Sequence, residues 1–240
     1  MLVPLGGLIL GVEYPLRSIE KMKVCFLIPS TSNKCDYKNI EASTLYFEYY
    51  KSIRNFDIKK YDFLIGFDSD DIFYKDNIEE LKKLLPNNFH YFFIDNPEKS
   101  YVEIVNKLSV IAKNSYDADY LFVNGDDLNL SRLDFIDSFI EYISKNNQIG
   151  LGHAQDCTSL YGICTNPFVS VEHINRLGYF YPNEIKNWYC DDWIHLLYKK
   201  LDKVIKTEDC IIKNKVIARY DIFSVKNKLD SLVDKAFSEF

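Results

Sequence analysis

The chain lacks the signatures of several large functional classes. Its six cysteines (Cys25, Cys35, Cys157, Cys164, Cys190 and Cys210) include no CxxC pair, and no Cys/His spacing fits a zinc site. The chain is neither short nor cysteine-dense, so reduced thiols are expected rather than a disulfide framework. GxxxxGK[ST] and GxGxxG are both absent, which removes the P-loop and dinucleotide-binding fingerprints. Positive charge is in deficit: 29 Lys plus Arg stand against 35 Asp plus Glu, a net charge of −6. Nucleic-acid binding needs a basic face, so no nucleic-acid partner is expected. Long apolar runs are missing too. The stretch 2–12 falls well short of the roughly 20 residues that cross a bilayer, and no basic residues precede it as in a signal peptide. Arginine is scarce, at 5 against 24 lysines. Phe, Tyr, Met, Ile, Asn and Lys make up 105 of the 240 residues. Their codons are AT-rich, so the bias points to the genome of a virus or protist more than to function.

What is present suits a globular domain. Apolar residues make up 47% of the chain and charged residues 27%, ordinary for a folded domain. At 240 residues the length fits one large domain or two small ones. Met22 directly precedes the apolar run Lys23-Val24-Cys25-Phe26-Leu27-Ile28. We therefore expect one domain over 22–240, with 1–21 an extension outside the fold; the alternative for 1–21 is a short membrane-associating leader. The sequon Asn129-Leu130-Ser131 sits beside the strongest candidate site, where a glycan would obstruct it. With the reduced thiols, that favours a cytoplasmic setting.

Over 22–153 short apolar runs alternate with amphipathic segments. Strands are expected at 24–28 (stopped by Pro29), 61–67, 89–94, 120–123 and 149–153. Between them, Ala42, Leu45, Tyr49 and Ile53 mark a helix over 38–53. Asp76 with Glu79 opens a second, and Ser100 with Glu103 caps a third reaching about Asn114. Ser131 opens a fourth, with Leu133, Ile136, Ile140 and Ile143 on one face. This alternation predicts an α/β fold with a mostly parallel sheet covered by helices. The second part, 154–240, is irregular and rich in aromatics. Ile211, Val216, Ile217 and a helix over 225–238 read as packing onto the domain.

In parallel sheets ligands bind beyond the carboxyl ends of the strands. The residues there are Ser30-Thr31-Ser32-Asn33, Asp68-Ser69-Asp70-Asp71, Asp95-Asn96 and Asn124-Gly125-Asp126-Asp127. Three of the four sets are acidic. Carboxylates converging on one edge repel unless a cation lies among them, which points to a divalent metal such as Mg²⁺ or Mn²⁺ at Asp126 and Asp127. The alternative is a strand-to-helix turn in which Asp127 and Ser131 serve as turn and cap residues. Gly-Asp-Asp also occurs in polymerase palms, but an acidic chain of this length cannot supply fingers, thumb and template channel. A second acidic pair, Asp191-Asp192, precedes a helical run and suits a helix N-terminus.

In their order and spacing these segments resemble the GT-A superfamily of glycosyltransferases over residues 22–200. Ile28-Pro29-Ser30-Thr31 resembles its opening motif and FVNGDDL its strand ending in DxD. GYFYPNEIKNWYCDDWIHLLY resembles its acceptor-side segment. The resemblance implies a GT-A sheet with a nucleotide-sugar half (22–153) and an acceptor half (154–240). It implies a UDP-linked or other nucleotide-diphosphate sugar donor and a glycan or other hydroxyl acceptor. On its terms Asp126 holds the Mn²⁺ or Mg²⁺, with Asp127 beside it, and Asn124 stands where the family has the first Asp of DxD. Asp68, Ser30 and Thr31 lie toward the nucleoside. Asp192, with Asp191, supplies the base of an inverting transfer. Trp188, Tyr189 and Trp193 flank that pair as stacking faces for an acceptor sugar or, for Trp193 equally, as core. No histidine among His90, His153, His173 and His195 matches the family's late metal ligand. A sugar nucleotidyltransferase and an inactive GT-A-like binding module are the alternatives.

Overall fold

A computed structural model describes residues 21–159, 162–215, 219–220 and 225–240. The extension 1–20, Tyr161, Val216 and Ile217 lie outside the described residues. The strands are β1 (Val24–Ser30), β2 (Tyr61–Asp68), β3 (Phe89–Ile94), β4 (Tyr120–Val123), β5 (Leu128–Leu130), β6 (Leu151–Asp156), β7 (Pro167–Ser170) and β8 (Val204–Asn214). The helices are α1 (Lys51–Ile53), α2 (Ile72–Asp76), α3 (Ile78–Leu84), α4 (Tyr101–Tyr116), α5 (Phe135–Lys145), α6 (Glu172–Leu177), α7 (Cys190–Lys200) and α8 (Leu229–Phe237).

The eight strands form one sheet in the order β3-β2-β1-β4-β7-β6-β8-β5. β3, β2, β1 and β4 run parallel, as does β6 with β8, while β7 is antiparallel to both neighbours and β5 to β8. The fold is therefore α/β with a mixed, mostly parallel central sheet. Side chains alternate between faces along a strand, and β1 divides accordingly. Val24, Phe26 and Ile28 join one apolar cluster and Cys25 and Leu27 the other. On the first face Phe26, Phe63 and Phe89 stack across β1, β2 and β3, with centroids 4.6 and 4.4 Å apart.

Pro29 does not stop β1, which runs to Ser30 opposite Phe67. Leu27 directs its carbonyl to Asn124 N, toward β4. By the alternation of a parallel ladder, the nitrogen of Pro29 also faces that side. The β4 ladder ends at Leu27–Val123, so no N–H is needed there. The helix expected over 38–53 is broken into a 3₁₀ turn (Ile40–Ala42), a π-helical turn (Leu45–Tyr50) and α1. Its apolar face survives at Leu45, Tyr49 and Ile53, with Ile40 rather than Ala42 buried at the start. The helix after β2 begins earlier than Asp76, because the Asp71 carboxylate accepts from Tyr74 N and caps α2. Ser100 caps α4 as expected. Ser131 opens no helix: it donates to the Ile211 carbonyl and ties β5 to β8.

Two thiols depart from the reduced expectation. β6 pairs with β8, setting Gln155 opposite Cys210 and bringing Cys157 and Cys210 into a disulfide with Cα atoms 5.4 Å apart. Cys25, Cys35, Cys164 and Cys190 are free thiols.

One glycine fixes how closely α4 lies on the sheet. A Cβ on Gly66 would stand 2.6 Å from Ile104 Cγ2, 3.1 Å from Leu108 Cδ1 and 3.2 Å from Ile94 Cδ1. Gly66→Ala is expected to cost about 1–3 kcal/mol by overpacking, read as a lower urea midpoint with unchanged slope.

Candidate active site

The carboxyl ends of β1, β2, β3 and β4 meet in one hydrogen-bonded cluster, built on the residues that the sequence singles out. Asp126 lies at its centre and is fully buried. Its Oδ2 accepts from Ser30 Oγ at 2.6 Å, Thr44 Oγ1 at 2.9 Å and Arg219 Nη1 at 2.7 Å. Its Oδ1 accepts from Arg219 Nη2. Asp127 Oδ1 stands 4.0 Å from the same Nη2. A Cβ on Gly125 would come within 2.7 Å of Asp127 Oδ1, so the glycine gives room to the neighbouring carboxylate. Asn124 is fully buried and engaged internally: Tyr49 donates to its Oδ1 at 3.0 Å, and its Nδ2 donates to the Val123 carbonyl. The π-helical turn allows this arrangement, directing Thr44 toward Asp126 and Tyr49 toward Asn124. Such turns recur at functional sites.

Asp68 is buried at the end of β2. Asn96 Nδ2 donates to its Oδ1 at 2.7 Å, and Thr31 Oγ1 and Tyr220 Oη donate to its Oδ2 at 3.3 Å. Lys99 Nζ lies 3.7 Å away. Asp71 latches the loop after β1, accepting from Ser32 N and Ser32 Oγ at 2.7 Å each. Ser30, Thr31, Asp68 and Asp126 thus come together as the sequence suggests.

Arg219 and Tyr220 are the residues that sequence reading missed. Both stand at the strand ends, Arg219 on Asp126 and Tyr220 on Asp68. Nη1 of Arg219 donates to the Thr31 carbonyl at 3.1 Å and to Thr44 Oγ1 at 3.3 Å. Asn33 Nδ2 donates to the Arg219 carbonyl at 2.6 Å. Burial opposes the guanidinium charge. The charge and hydrogen bonds of Asp126, with Asp127 behind, outweigh it and hold the group above its ordinary value. Burial, then Asp68, pushes the Tyr220 phenol up.

The second acidic pair occupies the first turn of α7, part-buried. Burial, then the charges of Asp192 and Asp156, raise the Asp191 carboxyl to about 7. Tyr101 stands at the start of α4. Burial raises its phenol well above the ordinary value, and Asp191, Asp127 and Asp126 all act on it electrostatically. Trp193 is wholly buried, with ring neighbours His173, Tyr179 and Tyr181, so it is core and no stacking face. Trp188 is 46% exposed. His173 bonds Tyr198 Oη and the Phe180 carbonyl inside the core, and His90 pairs with Asp62. His153 lies against His195, and its imidazole is pushed down to about 4 by burial and by His195 and Lys206.

A divalent ion at Asp126 needs carboxylate oxygens facing it. In this arrangement both Asp126 oxygens are taken by Arg219, Ser30 and Thr44, and the Asn124 oxygen by Tyr49. Among the described residues no three His, Cys, Asp or Glu side chains cluster to hold a metal. The donor set expected from the sequence does not fit the ion as arranged here.

No family model and no curated protein matches the sequence. Solved structures do match the fold. S. aureus TarS (residues 1–349) in complex with UDP aligns with a TM-score of 0.59 at 10% identity, over 90% of this chain and 64% of that one. The mannosyltransferase PcManGT from Pyrobaculum calidifontis, in complex with GDP-Man and Mn²⁺, aligns at 0.56 and 11% identity, over 83% and 59%. A cytidylyltransferase from Leptospira borgpetersenii aligns at 0.52 and 12%, over 91% and 88%. The fold is GT-A-like, with glycosyltransferases of that class as structural neighbours. The chain spans less than two thirds of the TarS–UDP and PcManGT chains. Among the described residues no helix is long and apolar enough to cross a membrane.

Proposed function

We propose that the chain is a glycosyltransferase that moves a sugar from a nucleotide-diphosphate donor, UDP-linked in the first instance, to a hydroxyl of a glycan or other acceptor. One observation carries the reading. In a GT-A-like fold, Ser30, Thr31, Asp68 and Asp126 converge at the strand ends. The structural neighbours with UDP and GDP-Man support the donor class. Thr31 and Asp68 face the nucleoside, and the segment Asn124 to Asp127 lies toward the diphosphate. Asp191 or Asp192 takes the proton of the acceptor hydroxyl as its oxygen attacks the anomeric carbon. The nucleoside diphosphate then leaves from the opposite face and the configuration inverts. A base with a pKa near the working pH combines a large deprotonated fraction with useful basicity, and Asp191 meets that condition. Trp188 offers an exposed ring beside the pair for an acceptor sugar. The sequence and PcManGT both suggest Mn²⁺ or Mg²⁺, but the engaged Asp126 gives no basis for a step through a metal.

The test is hydrolysis of UDP-, GDP- and CDP-sugars followed by NMR. The reading expects one donor to be cleaved with release of its nucleoside diphosphate. The cytidylyltransferase match favours a second reading, a sugar nucleotidyltransferase, although residues 30–33 supply no glycine for a phosphate loop. Pyrophosphate release from CTP or UTP with a sugar phosphate, without donor cleavage, would favour it. Nucleotide binding with neither reaction would favour an inactive binding module.

A further inference from the structure

We infer that Arg219 is the cation of the donor site, standing at Asp126 in place of a divalent metal and holding the donor's diphosphate, so that nucleotide binding needs no metal. The inference rests on the proposed function and concerns the same site.

A carboxylate buried as fully as Asp126 needs a compensating charge. The chain supplies it from 93 positions away, as a fork with Nη1 on one oxygen and Nη2 on the other. That geometry is the strong, directional form of a carboxylate pair. The contact is built into the site. The Arg219 side chain also donates to the Thr31 carbonyl and Thr44 Oγ1, its own carbonyl accepts from Asn33, and Tyr220 donates to Asp68. Arg219 therefore touches Thr31 and Asp126 directly, with Ser30 on the same Asp126 oxygen and Tyr220 on Asp68. Lys99 also faces this edge, and its partners are Asp68 and Asp70 on the nucleoside side.

A diphosphate leaving group needs positive charge where its own negative charge grows. A guanidinium carries five N–H donors in a fixed planar fork. It can hold a carboxylate on one edge and phosphoryl oxygens on another. Arg219 and a metal would draw on the same two Asp126 oxygens, and in this arrangement Arg219 engages both.

The experiment is equilibrium dialysis of radiolabelled UDP and GDP against the full chain, in EDTA and in Mn²⁺, with Arg219→Lys in parallel. Lysine keeps the charge, limiting the risk of unfolding, but lacks the fork. The expected result is binding of one nucleotide with an affinity that EDTA changes by less than about twofold, and a loss of about tenfold or more in Arg219→Lys. Wild-type binding that vanishes in EDTA and returns with Mn²⁺ would overturn the inference while leaving the glycosyltransferase reading intact. Metal-free binding that Arg219→Lys leaves unchanged would also overturn it. No binding of either nucleotide in either condition would overturn this inference, and the glycosyltransferase reading with it if CDP also fails to bind.

Discussion

Asp126→Asn is expected to lower the stability of the chain by about 3–5 kcal/mol, the range for breaking a buried ion pair by removing one partner. The amide has nearly the shape of the carboxylate but cannot balance the guanidinium, and Arg219 is itself only 8% exposed. The amide nitrogen would also face donors, because Arg219, Ser30 and Thr44 all donate to this side chain. Urea unfolding reads the loss. Combining Asp126→Asn with Arg219→Met removes both charges, and the double variant should lose clearly less than the sum of the two single variants. Additive losses would mean that the pair contributes nothing in solution. The same experiment separates a structural pair from a surface one, since exposed pairs contribute at most about 1 kcal/mol.

Asp191→Asn is expected to reduce kcat by about 10²–10⁴, the usual contribution of a positioned general base, while leaving nucleotide affinity intact. In the wild type the base must be deprotonated, so the rate should climb with pH and level off above about 7, where the Asp191 carboxyl is set. The stability effect runs the other way. A carboxyl whose folded pKa is raised binds a proton more tightly in the native state. Its contribution is fully present below the unfolded value near 4 and is lost as pH rises through about 7. Asp191→Asn removes that loss, so the variant should melt higher than the wild type at pH 8 and gain little at pH 4. A structural role alone would not pair lost turnover with gained stability at high pH. The matching variant Asp192→Asn decides between neighbours. Position in the GT-A-like motif favours Asp192, whereas the raised carboxyl favours Asp191, and the base is the residue whose replacement removes the acid limb.

The first half, 22–153, was legible because its signals are local. Apolar runs of four to eight residues made β1 to β4 visible, and the rule that ligands sit beyond strand ends selected Ser30, Thr31, Asp68 and Asp126. The misses have physical causes. β5 is three residues long, and β8 is largely exposed with little apolar alternation, so neither carries a usable period. β7 begins at Pro167 and is recognisable only by its antiparallel place between β4 and β6. The π-helical turn keeps the spacing of Leu45, Tyr49 and Ile53 but turns Thr44 inward, which periodicity does not encode. Arg219 is the largest miss. Its pairing with Asp126 joins residues 93 positions apart, and no local pattern specifies that. One signal was present: in a chain with 24 lysines and five arginines, an arginine is the cation that the codon bias does not favour. Trp193 was equally open to acceptor contact or core, and packing against three aromatic rings made it core.

The central claim is that the strand-end cluster holds a nucleoside diphosphate. It is tested most directly by calorimetric titration of UDP and GDP into the wild type, Asp68→Asn and Asp191→Asn. The account predicts one nucleotide binding at one site per chain, weakened in Asp68→Asn and retained in Asp191→Asn, since the first residue lies toward the nucleoside and the second toward the acceptor. Absence of heat from both nucleotides in a chain that circular dichroism finds folded would contradict it, as would binding that Asp68→Asn leaves untouched.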